Sequence, residues 1–162
     1  MMNRMIILVL ITMTLNACST TPTGRSQVAF MPDDQLDSMG LQAFSELKKE
    51  KKMSQDTREN EFVRCIAAAI TREVGGNWEV VVFEDSSLNA FALPGSKIGV
   101  HTGLVDLVDN QHQLASVIGH EVGHVLAKHS NERMSQKVGA QVGVSLIAAV
   151  AAPQTELGRS AM

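Results

Sequence analysis

The chain has 162 residues, 44% of them hydrophobic and 19% charged, with a formal net charge of −3. That length holds at most one domain beyond a targeting segment. Mild acidity without a basic stripe interleaved with aromatics excludes an electrostatic nucleic-acid binder, so no nucleic acid is expected among its partners. Tyrosine is absent and aromatics are 4% of residues, so a core must rest on Val, Ile, Leu, Ala and Met.

Arg4 precedes the apolar run Met5–Leu15 (MIILVLITMTL). A positive n-region and a short apolar run are the architecture of a signal peptide, and the run is too short to span a bilayer as a helix. Leu15-Asn16-Ala17-Cys18 resembles the lipobox of bacterial lipoproteins, although Asn16 is a less usual residue at its position. The resemblance implies a signal peptide over residues 1–17 and a lipid on Cys18. Ser19 suits sorting to the outer membrane, facing the periplasm. The alternative is an ordinary signal peptide with an incidental cysteine. With Cys18 acylated, Cys65 has no disulfide partner. Phe62, Cys65, Ile66, Ala69 and Ile70 recur at helical spacing, so Cys65 is expected to be a small buried core residue.

Residues 18–30 are expected to form a flexible tether, because Ser19–Gln27 is rich in Ser, Thr, Pro and Gly. Pro32, Asp33 and Asp34 open a helix that runs to about Glu50. The charge run Lys48–Lys52 is expected to be its solvated end. A second helix fits Asp56–Val74, ended by Gly75-Gly76. Asn77–Glu84 (NWEVVVFE) is β-branched and aromatic and predicts a strand. Ser86–Gly95 reads as a loop, and Lys97–Thr102 as a second short strand. Two strands ahead of a long helix give an α+β, mostly helical domain over residues 31–162.

Asn110 is a candidate N-cap, and Gln113 completes a capping-box pattern. Leu114, Val117, Ile118, Val122, Val125 and Leu126 then form an apolar stripe at helical period. Gly119 and Gly123 inside this helix are expected to admit a closely packed neighbour. Val138–Ala152 predicts a buried helix, and Gly139-x-x-x-Gly143 suggests close packing within it.

The chemistry lies in Ile118–His129 (IGHEVGHVLAKH), which contains His120-Glu121-x-x-His124. Residues four apart on a helix lie about 40° apart around its axis, so both imidazoles can meet one Zn²⁺. Glu121 sits beside the metal position, where a base can deprotonate an attacking water and pass the proton to the leaving amine. The bland alternative is an amphipathic helix with two incidental histidines. His129, about 140° from His124 on a continued helix, should face elsewhere and cap the helix end or pair with an acid. His101 and His112 are expected at the surface.

Leu88-Asn89-Ala90-Phe91-Ala92-Leu93-Pro94-Gly95, Lys97-Ile98-Gly99-Val100, Thr102-Gly103-Leu104, the His120 helix and His129-Ser130-Asn131-Glu132-Arg133 occur in that order. Together they resemble the N-terminal part of the zinc metallopeptidases of family forty-eight. This gluzincin group includes prenyl-protein (CAAX) proteases, HtpX-like and Oma-like quality-control proteases, and BepA- and LoiP-like lipoproteins. The resemblance implies a zincin-like domain binding one Zn²⁺, with His120 and His124 as metal ligands and Glu121 as catalytic base. It also implies an edge strand over Asn89–Val100 whose Asn89, Ala90, Phe91 and Leu93 receive substrate. A tight loop is the alternative for Asn89–Gly95. The family's third ligand is a Glu in a later E-x-x-A-D-like motif, which this sequence does not contain. Glu132 follows too closely and Glu156 lacks the surroundings, so the domain is expected to be incomplete at its C-terminal end. The expected function is a lipid-anchored periplasmic zinc endopeptidase for misfolded envelope proteins. The alternatives are a non-catalytic lipoprotein that binds unfolded or outer-membrane proteins, and a chain whose site is completed by another subunit.

Overall fold

The computed structural model describes residues 18–21 and 24–151; the signal-peptide reading of 1–17 and Glu156 lie outside them. The elements in chain order are β1 (Cys18–Thr20), β2 (Ser26–Val28), α1 (Asp33–Glu50), α2 (Thr57–Val74), β3 (Glu79–Phe83), β4 (Ala90–Leu93), β5 (Lys97–His101), α3 (Thr102–Leu107), α4 (Gln111–Leu126) and α5 (His129–Ala151). The fold is α+β and mostly helical, as the sequence predicts.

The sheet order is β3-β5-β4, with β3 parallel and β4 antiparallel to β5. Ser86–Gly95 is therefore not all loop, because Ala90–Leu93 pairs with β5 and forms one edge of the sheet. Strand alternation sorts side chains to two faces. Val82, Ala90, Ile98 and Val100 join Val63, Ile66 and Ala67 of α2, and Leu114, Ile118 and Val122 of α4, in the larger core. On the opposite face Val81 and Phe83 pack with Phe44 of α1, flanked by Phe91 and Leu93. Phe44 meets Phe83 edge-on at 6.1 Å between ring centroids, a favoured aromatic geometry. Gly99 leaves room for Phe91: a Cβ there would lie 2.2 Å from its ring.

Asp56 caps α2 by accepting hydrogen bonds from the backbone N–H of Arg58 and Glu59. The helix ends at Gly75, whose φ of 73° lies in the region that favours glycine. The buried stripe of α2 is Val63, Ile66, Ala67 and Thr71, and this corrects the expectation for Cys65, which is exposed. A shift of one residue in the stripe turns Cys65 and Ala69 to solvent.

The end of α1 is less solvated than its composition suggests. Lys48 pairs with Glu79, Lys51 with Asp85, and Lys52 with Glu84, which ties this helix to β3 and the loop after it. At its middle, Gly40 lets α1 approach the β4–β5 turn, where an added Cβ would sit 2.1 Å from the Pro94 carbonyl oxygen.

Residues 18–30 are not a free tether throughout. Ser19 and Thr20 of β1 face Gln27 and Ser26 of β2 in an antiparallel pair. Phe30 N–H donates to Ser135 Oγ, and Asn131 exchanges two hydrogen bonds with the Met31 backbone, fastening this segment to α5. Asn131 and Ser135 are buried, but Val138, Val142 and Val144 are exposed, so the described side chains do not bear out a buried helix over Val138–Ala152. Among the described residues, nothing lies within 4 Å of a Cβ built at Gly139, so none of them packs closely there. Among the described residues, no helix is long and apolar enough to cross a membrane.

Candidate metal and active site

The site is built on α4, and α4 is firmly placed. Asn110 caps it, accepting from His112 and Gln113 N–H at 3.0 and 3.2 Å. The Gln113 side chain reaches back to the N–H of Asp109 rather than that of Asn110, one residue earlier than a standard capping box. Leu114, Ile118 and Val122 are 0–1% exposed and lock one side of the helix onto the sheet. Each such side chain contributes about 1.5–3 kcal/mol by burial. His120 and His124 lie roughly 120–160° around the axis from Ile118 and Val122, on the outward face.

There the two imidazoles meet. His120 Nε2 and His124 Nε2 are 2.9 Å apart, with the rings nearly perpendicular at 82°. Two nitrogens on a tetrahedral Zn²⁺ at 2.0–2.1 Å stand roughly 3.3 Å apart. A rotation of a few tenths of an ångström would open the pair to that spacing, so the donor set fits zinc. Among the described residues, no group of three or more His, Cys, Asp or Glu is placed to hold a metal ion. This chain's described contribution is the imidazole pair, with half-buried Glu121 beside it on the same helix.

Gly119 and Gly123 share this open surface. A Cβ at either would meet no neighbour within 4 Å, so they do not admit a packed backbone among the described residues. Glycine here keeps the surface around the imidazoles low.

His129 departs most from expectation. Its Nδ1 lies 2.5 Å from His124 Nδ1. The helical extrapolation fails because α4 ends at Leu126, and Lys128 adopts a left-handed φ of 54° before α5 begins. That break swings His129 back against His124. It reaches the nitrogen on the far side of the ring from His120, so it does not converge with the two Nε2 atoms. No run of turn residues announces the break, and sequence reasoning missed it.

The rest of His129-Ser130-Asn131-Glu132-Arg133 now has a structural meaning. Glu132 receives both guanidinium nitrogens of Arg25, at 2.8 and 2.5 Å. Its carboxyl is held below the usual carboxylate range, chiefly by the hydrogen bonds from Arg25. Lys128 pairs with Asp33 at 2.6 Å and pins the break to the start of α1.

His112 is exposed, as expected, but His101 is not: it is 4% exposed. Ile98 and Val100 face α4, so His101, one residue on, projects from the opposite face under Phe83 and Phe91. Its Nδ1 meets Ser87 Oγ at 2.6 Å and its Nε2 lies 3.4 Å from Lys51 Nζ. Burial lowers its pKa below the ordinary 6.5, the Lys51 charge adds to this, and Asp85 opposes it. The sheet separates it from the α4 histidines, so it is not a ligand.

Beside α4 lies β4, the edge strand. It packs closely on α4 while Phe91 and Leu93 turn towards the α1 side. Of the edge strand expected over Asn89–Val100, only Ala90–Leu93 lies at the edge, in place of the tight-loop alternative; Lys97–Val100 belongs to the central strand β5. Asn89, just before it, accepts a hydrogen bond from His101 N–H through its carbonyl.

A helix carrying His-Glu-x-x-His on its solvent face, seated on a small sheet with one open edge, is the arrangement of an α+β metallopeptidase domain. The family model described as "Peptidase family M48" matches residues 53–162, and the chain belongs to that family, whose peptidases are zinc-dependent. It is 42% identical over 71 residues to a mitochondrial metalloendopeptidase OMA1 of Arabidopsis thaliana, covering 44% of this chain and 15% of that one. It is 30% identical over 121 residues to human metalloendopeptidase OMA1, covering 68% of this chain and 23% of the relative. To metalloprotease YcaL of Escherichia coli it is 31% identical over 98 residues, 59% of this chain and 37% of the relative. The chain therefore spans well under half the length of these curated relatives.

Proposed function

We propose that this protein is a lipid-anchored zinc endopeptidase of the bacterial periplasm that cleaves unfolded or misfolded envelope proteins. The carrying observation is the pair of Nε2 atoms 2.9 Å apart on the open face of α4, with Glu121 next to them in sequence. His120 and His124 would hold Zn²⁺ together with a third protein ligand from outside the described residues. Zinc bound there would supply Lewis acidity to the scissile carbonyl and to the attacking water. Glu121 takes the proton from that water and returns it to the leaving amine, the role of a general base that becomes a general acid.

Substrate is held as an extended chain along β4. Backbone hydrogen bonding to an edge strand reads an unfolded conformation rather than a particular sequence, which suits a quality-control protease. Ala90–Leu93 supplies that edge, preceded by Asn89. The envelope location is supported by the lipobox-like Leu15-Asn16-Ala17-Cys18 and by the likeness to a bacterial metalloprotease. A purely binding lipoprotein would use the edge strand equally well, but it leaves the facing imidazoles without a role.

The deciding experiment is casein hydrolysis by the full-length protein. Glu121→Gln should lower the rate by about 10²- to 10⁴-fold while leaving zinc bound. Equal rates for the two forms would end the catalytic reading. Labelled palmitate should enter the wild type and not Cys18→Ser, and incorporation by the variant would end the lipid-anchor reading.

A further inference from the structure

We propose that His129 is a positioning residue that fixes the ring orientation and tautomer of His124, keeping His124 Nε2 turned towards His120. This rests on the assignment of His120 and His124 as zinc ligands. Both nitrogens of His124 are engaged, Nε2 facing His120 Nε2 at 2.9 Å and Nδ1 facing His129 Nδ1 at 2.5 Å. A neutral imidazole carries one ring proton. When its Nε2 lone pair serves a metal, that proton must sit on Nδ1. His124 Nδ1–H then donates to His129 Nδ1, which accepts, and His129 carries its own proton on Nε2. A ligand histidine usually gives this hydrogen bond to a carboxylate or a backbone carbonyl. In this chain another imidazole takes that place.

The acceptor is held by the fold rather than by chance. His129 is the first residue of α5, immediately after the left-handed Lys128, whose ammonium is tied to Asp33. Two residues on, Asn131 grips the Met31 backbone through both its amide atoms. Glu132 is clamped by the fork of Arg25. These contacts fix the start of α5, and with it the ring of His129, from a segment more than ninety residues earlier in the chain.

The test is zinc affinity of the full-length protein, measured by competition with a chromogenic chelator, so that the readout does not depend on turnover. Asn places an amide oxygen where His129 holds Nδ1, whereas Leu has similar branching and no acceptor. His129→Leu should bind zinc about 10- to 100-fold more weakly, the usual cost of losing such a partner, while His129→Asn stays within about threefold of wild type. Wild-type affinity in the Leu variant, or equal weakening in both, would overturn the proposal. Metal-free Leu and Asn variants should melt together; a Leu variant melting far lower would overturn it too, by making His129 a packing residue. His124→Ala reports on the underlying assignment separately. If that variant keeps zinc at wild-type affinity, the ligand reading falls whatever the His129 variants do.

Discussion

Two groups of histidines stand on opposite sides of the sheet, and their surroundings differ in every respect that decides a role. His101 is buried, edge-on to Phe83 and Phe91, with Ser87, Asp85 and Lys51 around its ring. Its polar atoms are met by protein, so nothing is left to offer a metal. His120 is exposed and His124 half-buried, and their Nε2 atoms point at each other across 2.9 Å. An imidazole pair with no acid between its Nε2 atoms gains little by itself, and becomes useful when a cation enters. Burial with partners leaves His101 a structural residue, whereas the facing donors of α4 are left open to a cation.

The sharpest way to break this contrast is to remove one donor. His120→Ala should abolish both stoichiometric zinc binding and casein hydrolysis, because a catalytic zinc site needs three protein ligands. On the other side of the sheet, Phe83→Ala should cost about 3–5 kcal/mol of stability by leaving a cavity in the aromatic layer. Chemical denaturation would measure that loss, and the variant that remains folded should bind zinc normally. Gly40→Ala should cost about 1–3 kcal/mol, since the new methyl meets the Pro94 backbone rather than a side chain that can move.

A smaller effect separates the two groups by pH. The pKa of folded His101 is below its ordinary 6.5, so the unfolded chain binds this proton more readily. Stability from this group is complete above pH 6.5 and falls as the pH drops below it. His101→Gln should flatten the stability profile in that window, read as denaturation midpoints at successive pH values. Asp85, held well below the carboxylate range chiefly by its hydrogen bond with Lys51, contributes stability that is lost only as the pH falls below about 3.8.

Local signals made much of this legible. The cap at Asn110, the stripe Leu114, Ile118 and Val122, and the His120–His124 spacing place the chemistry on one helix face without any long-range information. The ends of α1 and α2 follow from Pro32, Asp56 and Gly75 for the same reason. Other features depended on contacts that no local pattern carries. Whether the far face of β5 meets water or α1 decides the fate of His101, and alternation alone gives the face but not what covers it. The exposure of Cys65 turned on one residue of phase in a stripe that fits two ways. Gly119 and Gly123 imply close packing only if a neighbour arrives, and among the described residues none does. The return of His129 needed a lysine in a left-handed conformation, which its side chain does not advertise.

Anomalous scattering at the zinc edge, from crystals of the full-length protein, tests the central contrast most directly. The expected result is one peak about 2.0–2.1 Å from both His120 Nε2 and His124 Nε2, with none near His101. A peak at His101, or one that touches only a single histidine of α4, would contradict it.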